Sequence, residues 1–362
     1  MTIDHLTIHG FRNLQAIELV ADPSTNIFYG ANGSGKTNLL ESIFVLCLAR
    51  SQRGAKDKDM VSTHSDTYRV SGHATVHDRQ REVAVAYQQG GRKKITIDGV
   101  TARASELFAN FCAVSAGPED SGIVSGSPSE RRGFMDIYLS QLSSRHLSRL
   151  TEYQQVLSQK NAALRDGLDP DPFNELLIAT GTQIMVERAE FVGQIAVLAA
   201  EYYQTVAAGR SFTVRYAPSV SVPEEDYSPQ LVEDAFRQRL ASVAQREEIL
   251  QSSQAGPHRD ELVLEIDGLP ARTCGSQGER RSAVLALKLA VYEMMKHRRE
   301  MDPVLLLDEV FAELDENRTN GLIDAFGSLG QVFLTTAGQP PARLEQHARA
   351  FRITEGTVLK AT

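Results

Sequence analysis

The chain has 362 residues, 42% of them hydrophobic and 23% charged, which is enough apolar mass for one large core or two modest ones. A formal net charge of −8 argues against a protein that coats nucleic acid by bulk charge, yet leaves room for a local basic surface that pairs with phosphates. No apolar run approaches the roughly 20 residues of a membrane span, and the alternating start lacks a charged leader with a greasy core, so neither export nor insertion is expected.

Thr2 to Ile8 alternates as a strand should, and Asn26 to Tyr29 is a short apolar run ending at a glycine. The loop that follows, Gly30-Ala31-Asn32-Gly33-Ser34-Gly35-Lys36-Thr37, is a full G-x-x-x-x-G-K-[ST] match, and Asn38 to Ala49 continues it as an apolar helix. Residues 68 to 114 read as an antiparallel β layer: Tyr68 to Val76, Glu82 to Gln88, Lys93 to Ile97 before an Asp98-Gly99 turn, then Phe111 to Ser115. From Ser129 to Gln251 the pattern turns helical, with Arg131 to Gln141, His146 to Arg165 and Phe173 to Ala208 broken by Asp169-Pro170-Asp171-Pro172 and by a loop from Pro218 to Pro229. Alternation returns at Glu261 to Ile266. A helix from Gln277 to His297, an apolar strand Val304 to Leu307, a helix near Glu316 to Phe326 and a strand Gln331 to Thr335 then close the chain. This order predicts an α/β fold from the two chain ends, residues 1–128 and 254–362, with a helical second domain, 129–253, inserted between them. The three cysteines, Cys47, Cys112 and Cys274, are odd in number and far apart, which fits a reducing cytoplasm and disfavours disulfides and cysteine metal sites.

Chemistry starts at the glycine loop, where missing side chains let backbone N–H groups curl round phosphate oxygens and the helix N-terminus adds positive potential. There Lys36 would reach the β- and γ-phosphates of ATP or GTP and the Thr37 hydroxyl would ligate Mg²⁺. Asp308 and Glu309 end the apolar strand that starts at Val304. Two carboxylates at such a buried tip are costly unless a cation or a water-activating task holds them. In an enzyme with this loop, Asp308 would hold Mg²⁺ and Glu309 would orient or deprotonate the attacking water. Alone, the acids also suit a solvated strand end. A third segment, Cys274 to Arg281, opens the helix before that strand: Ser276 can cap it, and Gly278 leaves its first N–H groups open to an anion. An ordinary N-cap explains the segment equally well. One nucleotide hardly needs two anion sites from one subunit, so a split site is the more informative reading, in which this segment faces the γ-phosphate held by a second copy.

Together these motifs resemble the ABC-type ATPase heads of the SMC and RecF group. Phe11-Arg12-Asn13, Lys36-Thr37-Asn38-Leu39-Leu40-Glu41, Gly117-Pro118-Glu119-Asp120, Gly126-Ser127-Pro128 with Arg131-Arg132, and Gly256-Pro257-His258-Arg259-Asp260 are similar to the RecF family pattern over most of the chain. The resemblance implies an ATP- and Mg²⁺-dependent homodimer with weak, DNA-stimulated ATPase activity. It also implies a role in DNA repair, replication and the SOS response, binding of gapped duplex or single-strand/double-strand junctions, and cooperation with RecO and RecR to help load RecA. Carried over, Gly30 to Thr37 bind ATP, Thr37 and Asp308 serve the metal, Lys36 and Glu309 act in catalysis, and Ser276, Gln277 and Gly278 contact ATP across the dimer. Asp315 would sense the other head. The histidine that many ABC enzymes carry after the strand following the acids is absent, since this strand runs Phe333-Leu334-Thr335-Thr336; slow hydrolysis is the expectation. Many family members are also expected to carry a second Asp where this chain has Glu309.

Candidate DNA contacts are Arg50, Arg53, Lys56 and Lys58 after the first helix and Arg79, Arg81, Arg92, Lys93 and Lys94 on the β layer, although each also suits a solvated surface. Tyr153, Tyr202, Tyr203 and Phe191 read as core and not as base-stacking platforms. His258 reads as a hydrogen-bonded structural residue or an ATP-side sensor before it reads as a metal ligand. Two alternatives remain, the ATPase subunit of a membrane transporter and an ATP-gated DNA clamp with negligible hydrolysis.

Overall fold

The computed structural model describes residues 1–207, 209–222, 226–311, 329–339, 344 and 348–360. In chain order the first elements are β1 (Thr2–Phe11), β2 (Leu14–Val20), β3 (Thr25–Tyr29), α1 (Lys36–Leu48), α2 (Asp57–Met60), β4 (Thr67–Val76), β5 (Arg79–Gln88), β6 (Lys94–Ile97), β7 (Val100–Thr101), α3 (Ala104–Asn110) and β8 (Ala113–Ala116). A mostly helical stretch follows: α4 (Ser121–Ser125), α5 (Pro128–Leu142), α6 (Ser144–Arg165), α7 (Asn174–Val206), β9 (Phe212–Ala217) and α8 (Pro229–Leu250). The chain then forms β10 (Glu261–Ile266), β11 (Leu269–Pro270), α9 (Ala271–Cys274), α10 (Gln277–Arg299), β12 (Val304–Leu307), β13 (Val332–Thr336), β14 (Ala348–Thr354) and β15 (Thr357–Lys360). The expected helix near Glu316 to Phe326 lies outside the described residues, as does Ala208 at the end of the expected third helix.

Two compact units emerge: Met1–Ser121 with Thr205–Ala208 and Lys288–Thr362, and Gly122–Gln204 with Gly209–Leu287. The second unit therefore runs past the expected boundary at residue 253 and takes in 254–287. Strand pairing is the reason. β10 runs antiparallel to β9, with Glu261 opposite Ala217 and Ile266 opposite Phe212, which ties the segment after Gly256 to the helical stretch.

In the first unit, alternation in β1 buries Leu6 and Ile8 on one face of an antiparallel six-stranded sheet ordered β2-β1-β4-β5-β6-β7, and Ile3, before a register shift at residues 3–5, and Phe11, after the left-handed Gly10, are buried as well. A second six-stranded sheet, ordered β15-β14-β3-β13-β12-β8, has a parallel core. Here the structure corrects one expectation. Phe111 to Ser115 does not extend the antiparallel layer; β8 pairs in parallel with β12, Ala113 opposite Val304 and Ala116 opposite Leu307. All four β8 residues are buried, as suits a strand covered on both faces. Helix α1 packs against strands of both sheets. Eleven of its residues, from Lys36 to Leu48, are buried, so it has no solvent face. Each large apolar side chain so buried contributes about 1.5–3 kcal/mol. Cys47 and Cys112 sit in this core, and Cys274 of the other unit is exposed.

The second unit packs α6, α7 and α8 around Tyr153, Leu177, Met185, Phe236 and Leu240, and Phe191 and Tyr203 are also buried. A three-stranded sheet, β11-β10-β9, lies beside the helices. Its charged centre is Arg188, 2% exposed. That guanidinium donates to both Asp136 oxygens at 2.9 and 3.0 Å, to Asp260 at 3.0 Å and to the Pro257 carbonyl at 2.6 Å. Asp260 also accepts from the Ser219 amide at 2.9 Å and from the Tyr216 hydroxyl. Removing one partner from such a buried cluster costs about 3–5 kcal/mol, because a charge is left uncompensated. The two family-like motifs of this unit belong to the same frame. Ser127 and Glu130 cap α5, Arg131 pairs with Glu261, and Arg132 donates to the Asp260 carbonyl at 2.8 Å. His258 accepts from the Tyr153 hydroxyl at 2.6 Å through Nδ1, and its Nε2 faces the Ser253 carbonyl at 3.1 Å, so Nε2 carries the hydrogen. Burial pushes its pKa down to about 4, leaving it neutral at physiological pH. His258 is thus a structural residue.

His146 is fully buried, with Nδ1 2.5 Å from Glu187 and Nε2 3.6 Å from Asp136. Burial alone would lower its pKa, but hydrogen bonds and charge from Asp136 and Glu187 outweigh this and hold it above the ordinary 6.5. The folded state thus binds this proton more tightly than the unfolded chain. The resulting stability is complete below about pH 6.5 and is lost as pH rises through the raised value. Urea unfolding of wild type and His146→Gln across pH 5.5 to 9 should show the largest stability difference at the acidic end and a shrinking one above; a difference that does not vary with pH would remove the protonated histidine from the account.

Candidate nucleotide-phosphate site

Strand β3 delivers the chain to the glycine loop, and α1 begins inside the motif, at Lys36. Two of the glycines are required by geometry. At φ 152, Gly30 leaves so little room that a Cβ there would lie 2.3 Å from the Ile353 carbonyl oxygen of β14, and Gly35 caps α1 in the left-handed region at φ 110. Ala31, Asn32 and Gly33 form the exposed bend, closed by a hydrogen bond from the Ser34 amide to the Ala31 carbonyl at 3.2 Å. Phe11-Arg12-Asn13 braces it from the side. Asn13 donates to the Gly33 carbonyl at 3.1 Å and accepts from Asn38 at 2.8 Å. Arg12 forms a bidentate pair with the fully buried Glu41 of α1 at 3.0 and 2.9 Å, and Ser51 donates to the same carboxylate at 2.5 Å.

Lys36 is 3% exposed, and its ammonium donates to the Gly30 and Ala31 carbonyls at 3.0 and 3.1 Å. Opposite it, β12 ends at Asp308 and Glu309. The Asp308 amide continues the ladder to Ala116 of β8 at 2.8 Å, and its Oδ1 accepts from Thr37 at 3.0 Å and from Thr335 at 2.6 Å. Glu309 is in the left-handed region at φ 48, and its carboxylate is 3.6 Å from the Lys36 ammonium. Burial raises the Asp308 pKa and the Glu309 charge adds to this, against the hydroxyls of Thr335 and Thr37. A buried carboxylate beside a second acid is short of positive charge. Two hard oxygen donors, Thr37 Oγ1 and Asp308 Oδ1, stand together there, which is the donor chemistry Mg²⁺ takes beside phosphates. These residues fit that ion.

Lys36, Thr37, Asp308 and Glu309, which sequence reasoning placed in one site, are therefore brought together from distant parts of the chain. Ser276, Gln277 and Gly278 open α10 and belong to the second unit, with Ser276 and Gln277 exposed. Ser276 accepts from the Glu279 amide at 3.3 Å while the Glu279 carboxylate accepts from the Ser276 amide at 2.7 Å, a reciprocal cap. Asp315 lies outside the described residues. Among the basic candidates, Lys56, Lys58, Arg79, Arg92 and Lys94 are exposed. Arg53 pairs with Glu119 at 3.5 Å, Arg81 with Asp98 at 2.7 Å and Lys93 with Asp57 at 3.0 Å. Sequence reasoning named Lys94 but missed His9 and Arg69, which register sets side by side on β1 and β4, in line with Lys94 two strands beyond Arg69 across Ala86 of β5; all three are exposed. The alternation of β4 and β1 was the signal that could have found them. It also gave no role to Gly117-Pro118-Glu119-Asp120, where Asp120 accepts from the Gly117 amide at 3.0 Å and from Lys288 of α10 at 2.7 Å.

Comparison with known proteins places the chain in a family. The family model described as "RecF/RecN/SMC N terminal domain" matches residues 2–357. A relative from Synechococcus sp. (strain JA-2-3B'a(2-13)), "DNA replication and repair protein RecF", is 34% identical over 93% of this chain and 91% of its own. A solved structure described as the recombination mediator protein RecF-ATP in the RecFOR pathway superposes with a TM-score of 0.91 at 27% identity, covering 100% of this chain and 98% of that one. An Smc head domain derived from Pyrococcus furiosus shares the fold alone, with a TM-score of 0.58 at 15% identity over 100% of this chain and 96% of its own. With the match running almost from end to end and the phosphate loop, paired acids and two-sheet α/β architecture in place, this chain belongs to the RecF family of ABC-type ATPase heads.

Proposed function

We propose that the chain is an ATP-driven homodimer of DNA repair and replication that hydrolyses ATP slowly. The observation that carries this reading is the convergence of Lys36, Thr37, Asp308 and Glu309 at neighbouring strand ends. Residues Gly30 to Thr37 would wrap the phosphates with backbone N–H groups while Lys36 leaves its two loop carbonyls for the β- and γ-phosphates. Thr37 and Asp308 would hold Mg²⁺, which when bound draws negative charge from those phosphates. Glu309 would accept a proton from water as the water oxygen bonds to the γ-phosphorus, and the bond to the bridging oxygen breaks with its electron pair leaving on ADP. In this reading both chain ends, 1–128 and 254–362, serve one functional head with 129–253 as its helical insertion, and residues 254–287 belong to the head by function while they pack with the second compact unit.

In the assembled state, Ser276, Gln277 and Gly278 of one copy would cover the γ-phosphate held by the other, with Asp315 sensing the partner head. Exposed basic residues, including the His9, Arg69 and Lys94 row, offer backbone-directed contacts to gapped duplex or single-strand/double-strand junctions. RecO and RecR would act with this dimer to help load RecA, in the cytoplasm. Among the described residues no helix is long and apolar enough to cross a membrane, and the transporter alternative finds no support in a chain of this family.

Analytical ultracentrifugation with Mg·ATP, with and without a gapped duplex, tests the split site. Wild type should dimerise and hold the gapped DNA, whereas Lys36→Arg and Ser276→Arg should both stay monomeric; a wild type that remains monomeric with ATP would refute the shared site. Glu309→Gln separates the hydrolysing dimer from a clamp that barely hydrolyses. Its ATP-bound dimer should outlive that of wild type by about 10²-fold or more, as expected for loss of a general base, and equal lifetimes would favour the clamp.

A further inference from the structure

We infer that Thr335 is a positioning residue for both acids, an assignment that rests on the ATPase reading above. Strand β13 lies between β3, which carries the phosphate loop, and β12, which carries the acids. Its register sets Thr335 opposite Phe28 of β3 and Leu334 opposite Leu307 of β12, so Thr335 is level with the start of both functional loops. It is 0% exposed. Its hydroxyl hydrogen goes to Asp308 Oδ1 at 2.6 Å, and its oxygen accepts from the Glu309 amide at 2.9 Å.

A hydroxyl can do both tasks at one atom, because it carries one donor and free lone pairs. Valine has the same shape and can do neither. The second bond bears directly on Glu309, whose left-handed backbone, φ 48, is sparsely populated by residues with a Cβ and persists only where surrounding contacts hold it. Anchoring that amide fixes where the Glu309 carboxylate leaves the chain, 3.6 Å from Lys36. The first bond holds the Asp308 oxygen that Thr37 also reaches. Thr37 is the hydroxyl Mg²⁺ would claim, whereas the hydrogen of Thr335 stays committed to the carboxylate. Thr335 thus does not touch the reacting atoms; it acts through the two acids, and it does so without a titrating group of its own.

The experiment compares full-length wild type, Thr335→Val and Thr335→Ser by four readouts: thermal unfolding, Mn²⁺ affinity by electron paramagnetic resonance with a slowly hydrolysed ATP analogue, steady-state phosphate release, and amide hydrogen exchange across 308–310 without nucleotide. The valine variant should unfold near the wild-type temperature. Its Glu309 amide should exchange about tenfold faster, as one lost hydrogen bond implies. It should bind Mn²⁺ more weakly and lose about 10²-fold in kcat with KM little changed, as for a catalytic group displaced by a fraction of its reach. Serine should restore all of these. Valine matching wild type in exchange and Mn²⁺ affinity would overturn the assignment, as would serine failing like valine, which would make the role one of packing. Should valine not be accommodated, Thr335→Ala takes its place with the same expectations. If wild type itself releases no phosphate, the ATPase reading fails, while exchange and Mn²⁺ affinity still decide whether Thr335 holds the acids.

Discussion

The parallel register of β3, β13, β12 and β8 is the constraint on which the rest of the first unit depends. Phe28 lies level with Thr335, Leu334 with Leu307, and Leu307 with Ala116, so the chain leaves all four strands at one height. Parallel strands buried on both faces can carry polar chemistry only at their ends, and open α/β sheets gather ligands at the carboxyl ends for that reason. A slip of one residue would turn Thr335 to the opposite face of the sheet and separate it from Asp308. Core packing secures the alignment. Phe28 stacks on Phe333 at 6.1 Å and touches Phe351 at 5.6 Å, while α1 is pressed between two sheets with no solvent face along which to shift.

The second unit solves a different problem. Its helices cannot close over Arg188, His146 and Lys160 unless each buried cation finds a carboxylate, and each does: Asp136 and Asp260, Glu187, and Glu247 at 2.7 Å. Such pairs add little net stability over apolar packing, but they penalise any arrangement that separates them. Much of the family-like pattern in Gly126 to Arg132 and Gly256 to Asp260 is therefore architectural, since these residues cap α5 and join α5, α7 and β9 through Asp260 and its neighbours.

The phosphate loop and the acidic strand were legible because each needs a local sequence of unusual composition: glycines where a Cβ cannot fit, and charges at the tip of an all-apolar strand. Features made by tertiary contact were not. Phe111 to Ser115 carries the same β signal in either sheet, and only its burial on both faces settles its parallel partner. β2, β9, β14 and β15 were missed because they are short, and a strand such as Ala348–Thr354, buried only at Phe351 and Ile353 and interrupted by Arg349 and Arg352, carries a weak apolar signal. Residues 254–287 look like a return to the head when read by alternation alone, and the pairing of β10 with β9 moves them to the other unit. Thr335 enters the sequence reading only as part of a strand not followed by a histidine, because a threonine at a strand end carries no signal of its own until its two partners are seen.

The three cysteines differ in a way that matters at the bench and in the cell. Burial pushes the Cys47 thiol far up and the Cys112 thiol up to about 11, so neither offers a thiolate near neutral pH. Cys274 is exposed and ends α9, two residues before Ser276. Maleimides and other thiol-directed reagents therefore meet this protein at a single cysteine, which adjoins the segment proposed to read a neighbour's γ-phosphate. A dye attached there would sit where the two copies are proposed to meet, and a bulky thiol adduct would stand in the way of that contact.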